Sequence, residues 1–379
     1  MVVREAAYRP DKYGKGKANG EQPRDAAHSL FELRGAEPMA AITENMPLAV
    51  ARRPYRIGRL VQTVIARAVT PSVRLMTEGA AESVAQRLAD DKTERAGFEE
   101  RLRERWGPAL DTLTLFRLWC LDAGMSLHER YGSTENDWVY AALVRLQARA
   151  CLVTAEVVAL LHGGFASGAH ARWRSAHEIA VVGSFIADHG QDTAERYLLH
   201  EAVESNRAAA DYQRYATRLG YEQITPAELQ NLRTAQEALI ARFGPEYARP
   251  YGWASNALGN PNPKFSDIQA AASLDHLRPY YRMASYPTHA RPKGIAFDIG
   301  LAGHDVMLAG PSNVGLADPG HAVAISLLQI TLTLLSRNPD MGDLVTMTFL
   351  LGACDAVGRS FIQAHQKVVE DAERESHTN

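Results

Sequence analysis

Between Ser133 and His162 the chain has no glycine or proline, and its apolar residues recur at helical spacing. Leu143, Leu146, Ala150, Val153, Val157 and Leu160 fall at i, i+3, i+7, i+10, i+14 and i+17, while Arg145, Arg149 and Glu156 share a different face. That spacing predicts a long amphipathic helix, stopped by Gly163-Gly164. A second helix is expected over about Ser167 to Asp188. A third is expected from Asp192, where D-T-A-E lets Asp192 and Glu195 satisfy free amides reciprocally, to Gly220. Its stripe of Arg196, His200, Glu204, Arg207, Asp211, Arg214 and Arg218 alternates in sign, as a solvated face does. Further helices are expected over 226–242, 266–277, 279–286, 320–336 and 341–367. Alternating apolar and polar runs of strand type are nearly absent.

The fold class is therefore all-α: a multi-helix bundle with a flexible N-terminal arm and a long Gly/Pro-rich loop. Residues 1–28 read as a disordered or extended arm. Residues 29–92 read as a basic, partly helical segment, 93–369 as the helical domain, and 370–379 as a frayed tail. The loop is placed at Gly294 to Gly320, which holds six glycines and two prolines.

The 379 residues are 46% hydrophobic and 22% charged, with a net charge of −3. That excludes a disordered chain, a collagen-like fibre, a disulfide scaffold and a strongly basic nucleic-acid tail. Cys120, Cys151 and Cys354 form no C-x-x-C pair, and so sparse a set fits a reducing compartment. The first 25 residues lack the apolar core of a signal peptide. The longest charge-free apolar stretch, Ala322 to Ser336, is too short to span a bilayer. A cytoplasmic protein without a transmembrane segment is expected.

Charge is uneven locally. Arg52, Arg53, Arg56, Arg59, Arg67 and Arg74 lie in one stretch without an acid. Such a run more often solvates a helix face and pairs with neighbours such as Glu78 and Glu82 than binds nucleic acid or anionic lipid. Arg52, Arg53, Arg56 and Arg59 are the candidates for a nucleic-acid contact.

Motifs for phosphate loops, dinucleotide binding, the nucleophile elbow, H-E-x-x-H zinc sites and di-iron bundles are absent. His162, His170, His177 and His200 cluster only loosely. His170 and His177 stand two turns apart, longer than the i, i+4 spacing that chelates, so neither a metal nor a cofactor is expected. Two segments carry more. In Arg172-Trp173-Arg174-Ser175-Ala176-His177-Glu178, Arg174 and Glu178 are placed to pair at i, i+4 beside the apolar run Ile179 to Ile186. In Pro279 to His289, Pro279 suits a first turn and Pro287 ends or kinks the helix near Tyr286, leaving His289 just past the end.

An arginine near a histidine is the minimum for metal-free RNA cleavage. The imidazole moves the proton and the guanidinium holds the phosphate. On that reading His289 and Arg282 are catalytic. Arg174, Glu178, His177, Tyr281, Ser285 and His200 form a supporting polar pocket. The alternative is that Arg282 pairs with Glu178 and His289 caps a helix end, in a non-enzymatic module that binds a small ligand or a protein partner.

W-G-P-A-L at Trp106–Leu110, G-x-x-x-G-A-x-x-R-W-R-S-x-H-E at Gly164–Glu178, R-Y-x-x-H at Arg196–His200 and Y-Y-R-x-x-S-x-x-x-H at Tyr280–His289 together resemble the microbial domain-of-unknown-function family number 5677. The resemblance spans about residues 95–335. It implies an all-helical domain and names no reaction. A looser similarity is to HEPN-type helical ribonuclease domains, whose Arg and His have four to six residues between them. Arg282 and His289 meet that spacing, although Met283 stands where those domains place a polar residue and Pro287 falls inside the motif. This similarity implies a homodimer with RNA at the subunit seam, acting as a toxin or phage-defence effector.

Overall fold

The computed structural model describes residues 59–131, 137–290, 292–301 and 307–378, with side chains described for 72–374 of these. The expected arm at 1–28, most of the basic segment, and Arg52, Arg53 and Arg56 lie outside the described residues. Arg59 opens the first helix, but its side chain is outside them too.

The described residues contain no strand, and the all-α class holds. The helices are α1 (Arg59–Tyr131), α2 (Trp138–His162), α3 (Ala166–Leu199), α4 (Glu201–Leu219), α5 (Pro226–Phe243) and α6 (Ser255–Leu258). They continue with α7 (Phe265–Ala271), α8 (Arg278–Met283), α9 (Pro292–Ala296), α10 (Ala317–Leu335) and α11 (Met341–Thr378). The chain divides into two compact units. Among the described residues, one is 201–248 and the other is 59–200 with 249–378, where the sequence suggested a single domain over 93–369.

In the larger unit α2 and α3 pack along each other through the short turn at Gly163-Gly164-Phe165. α10 lies against both, and α11 closes on α1 and α10. The apolar stripe of α2 is its buried face: Leu143, Leu146, Ala150, Val153 and Val157 are all buried. Gly164 takes a positive φ of 75°, and a side chain there would meet the Phe98 ring. Gly183 of α3 lets α10 come close, because a Cβ at that position would collide with Ile330. Asp137 caps α2 by accepting from the Tyr140 amide at 3.0 Å, and it also takes Gln191 and Arg337, both at about 3 Å. Burial pushes the Asp137 carboxyl up, but those three hydrogen bonds outweigh it and hold it below the usual range.

α11 is long and apolar enough in Met341–Arg374 to cross a membrane by length and composition. Its Leu350, Cys354, Val357, Phe361 and Ala364 are nevertheless buried at helical spacing, as in a core helix packed on one side. The three cysteines are free and buried. Burial pushes the Cys151 and Cys354 thiols up to about 12 and the Cys120 thiol higher still, so none is poised as a nucleophile.

The smaller unit is a helix pair. Ala209, Ile224 and Leu232 form its centre, with Tyr212 and Leu229 packed against them. Thr225 and Glu228 form a reciprocal capping box at the start of α5. Glu204, Arg207, Asp211, Arg214 and Arg218 are exposed, as the alternating stripe implied, whereas its first two members are not: Arg196 is partly buried and His200 is buried.

Several boundaries differ from expectation. α1 is continuous from Arg59, although nearly every residue from Ser72 to Arg95 is exposed and shows no core-facing face. Arg74 pairs with Glu78, the partner the charge pattern suggested. The helices expected to meet between Asp188 and Asp192 do meet there, at Gly190, whose φ of 75° and ψ of −159° are not helical, and a further break falls at His200, inside the expected third helix. α10 begins at Ala317 because Pro319 occupies its first turn, where no amide is needed. α11 runs on to Thr378, beyond the helix end expected at 367 and through the tail expected to fray.

Candidate functional site

Arg174 and Glu178 sit one turn apart on α3 and pair as their spacing predicts, Nε to Oε1 at 3.0 Å. α8 and the turn after it bring two more groups. The Tyr281 hydroxyl donates to the same Glu178 oxygen at 2.5 Å, and Arg174 Nη1 donates to Ser285 Oγ at 3.2 Å. The Ser285 hydroxyl in turn donates to the Tyr281 carbonyl at 3.0 Å. The Arg174 guanidinium lies over the Tyr281 ring, 4.6 Å from its centroid. Burial and the neighbouring Glu178 carboxylate push the Tyr281 hydroxyl well above its ordinary range, so it stays protonated and donates.

His177 belongs to this layer by packing. It is fully buried, its ring 5.7 Å from that of Tyr281 and 5.5 Å from that of Trp173. Gln269 Nε2 lies 2.8 Å from His177 Nε2 and also donates to the Leu274 carbonyl. The amide nitrogen is therefore the donor, His177 Nε2 accepts, and the ring proton sits on Nδ1, which has no partner. Burial, reinforced by His276, brings its pKa down to about 4, so the ring is neutral near pH 7.

Arg282 and His289 stand apart from this network. α8 stops at Met283, and successive turn bonds from Ser285, Tyr286 and His289 carry the chain past Pro287, which puts His289 beyond the helix end as expected. Both residues are exposed, and no hydrogen bond or ion pair joins them. The expected pairing of Arg282 with Glu178 does not form, because Arg174 takes that carboxylate. His200, also assigned to the polar pocket, is buried elsewhere, with Nε2 on the Arg249 carbonyl at 2.9 Å.

Beside the network, on the far side of Trp173, lies a cavity of about 250 Å³. Its floor is Trp173, His170 and Phe361, all at least 98% buried, and Asp318, Tyr280 and Ile362 are exposed at its rim. Trp173 is fixed by its indole N–H, which donates to Ser326 Oγ at 3.0 Å. Gly320 makes room for the Phe361 ring. Gly358 makes room for His321, whose Nε2 would stand 2.6 Å from a Cβ placed there.

His170 lines the cavity, stacked on Trp173 at 5.3 Å, and its imidazole has no hydrogen-bond partner among the described residues. Burial brings its pKa down to about 4 against the opposing pull of Asp318. Burial also lowers His321, against Asp355 and Asp318. Sequence reasoning noted His170 but left Asp318 and His321 out. The available signal was their i, i+3 spacing where the Gly/Pro-rich loop gives way to a helix. Among the described residues no three His, Cys, Asp or Glu side chains come together as metal ligands.

What these elements define is an all-helical domain in which an internally satisfied ion-pair network backs an aromatic-floored cavity. Residues 140–305 match a family of unknown function (DUF5677), the family that the motifs resemble. The match takes in His170, Trp173 and Tyr280 and ends before α10 and α11, which supply the other cavity wall. No curated protein and no solved structure matches the chain.

Proposed function

We propose that this chain is a helical module that binds a small ligand in the cavity between α3, α10 and α11. The observation that carries this reading is His170, a 98% buried imidazole without a protein partner facing an aromatic-floored space. Buried polar groups are normally paired, so an unpaired one facing a cavity is a ready ligand contact. The Arg174–Glu178–Tyr281–Ser285 network supports the reading from behind: its groups satisfy one another and lock α8 onto α3. A set of fragment-sized molecules, screened by thermal shift on the whole chain and on Ala322→Phe, tests it. Some fragments should stabilise the wild type and lose the effect when Phe fills the cavity. No stabilising fragment, or stabilisation that persists in the variant, overturns it.

A second reading, metal-independent RNA cleavage, draws on the exposure of Arg282 and His289, which leaves both open to a phosphate backbone. It makes the chain a cytoplasmic toxin or defence effector acting as a homodimer. The exposed Leu115, Trp119, Val345 and Phe349 offer an apolar face for a second copy. Total RNA incubated with the protein and EDTA should then be cut, and Arg282→Ala and His289→Ala should each abolish cutting. Cleavage that needs a metal, or that survives His289→Ala, refutes it.

A further inference from the structure

We infer that the cavity takes a small organic cation: a primary ammonium carried on a compact apolar or aromatic body, with the body on the Trp173–Phe361 floor and the ammonium at Asp318. This rests on the ligand-binding reading above and adds the ligand's chemistry to it.

Charge is the first argument. Asp318 is the one carboxylate among the lining residues, and no lysine or arginine lines the space. An anion entering it would meet Asp318 with nothing to offset the repulsion. The partial positive charge at the start of α10 does not reverse this, because Asp318 stands in that helix's first turn and complements it. Burial keeps His170 and His321 uncharged near pH 7, so neither repels a cation, and each offers a lone pair. An ammonium has three N–H donors and no acceptor. One carboxylate and two neutral imidazoles are three acceptors. The exposed Tyr280 at the rim adds a ring face of the kind that attracts cations.

Size and polarity are the second. The rest of the lining is Leu277, Ala317, Ala322, Ile325, Ile362 and the aromatic floor, which takes hydrocarbon and gives a polar body nothing to bond. A space of about 250 Å³ lies below the ~300–1,000 Å³ usual for drug-sized ligands, which limits the body to about one ring. Asp318 and His321 stand one turn apart at the start of α10, and Asp318 acts electrostatically on His321 and on His170 across from it, so the ligand is polar at the end that meets this group.

Three probes of one shape separate the possibilities: 2-phenylethylammonium, 2-phenylethanol and 3-phenylpropanoate, titrated calorimetrically into the whole chain at pH 7.5. The ammonium should bind about tenfold more tightly than the alcohol, the gain expected of a charge-assisted hydrogen bond. The carboxylate should bind more weakly than either. Asp318→Asn, a rim substitution that disturbs no packing, should bring the ammonium to the affinity of the alcohol and leave the alcohol unchanged. Alcohol or carboxylate binding as tightly as the ammonium overturns the assignment, as does an ammonium affinity indifferent to Asp318→Asn. The same follows if none of the three binds while the fragment screen yields stabilisers lost in Ala322→Phe, and there the cavity reading survives. If neither experiment yields a ligand, both fall.

Discussion

Lowering the pH from 7.5 to 5.0 should destabilise this fold mainly through His170 and His177. Both are buried, at 2% and 0% exposure, and both are held neutral with pKa values of about 4. In the unfolded chain each returns to about 6.5. Between those values the unfolded state binds the extra proton, so stability is full above pH 6.5 and is lost as the pH falls toward 4. At pH 5.0 that loss is about 2 kcal/mol per histidine, or about 4 kcal/mol for the pair. Against a typical total of ~5–15 kcal/mol this is a large fraction. Urea unfolding at the two pH values measures it. The quantity to compare is the pH-dependent difference, which should shrink by about 2 kcal/mol in either His170→Gln or His177→Gln and by about 4 kcal/mol in the double variant. A double variant whose acid loss equals that of the wild type would show that these rings do not report burial.

Two further substitutions test the packing. Gly183→Val puts a branched side chain where a single Cβ already collides with Ile330, and should cost about 1–3 kcal/mol in urea unfolding, whereas an unchanged midpoint would mean that α3 and α10 are not in close contact. Asp137→Ala removes the α2 cap and strips Arg337 of its carboxylate, and should cost about 2 kcal/mol, most of it recovered by Asp137→Asn if capping rather than charge dominates.

How much of this was legible in the chain depended on whether the signal was local. α2 was visible because a run free of glycine and proline carried one apolar stripe and ended at paired glycines. The Arg174–Glu178 pair was visible for the same reason, since helical spacing alone brings them together. The first half of α1 was not, because an exposed helix buries no face and therefore leaves no periodicity to read. Tyr281 and Ser285 were grouped with Arg174 and Glu178, but which arginine would claim the carboxylate is a question of reach across about a hundred residues. Arg174, already on the same helix, wins over Arg282. The cavity was the least legible part. His170, Asp318 and His321 come from α3 and α10, and only the packing of those helices sets them around one space.

The exposed stretch of α1 before Gly97 has a mechanical consequence. Its helical turns lean on one another only through exposed side-chain links such as Arg74–Glu78, Gln86–Asp90 and Arg95–Glu99, which water and salt screen. From Leu102 onward the same helix is anchored in the core. Those exposed turns therefore open while the bundle stays intact, and a protease given the native protein would cut between Ser72 and Gly97 before touching the rest.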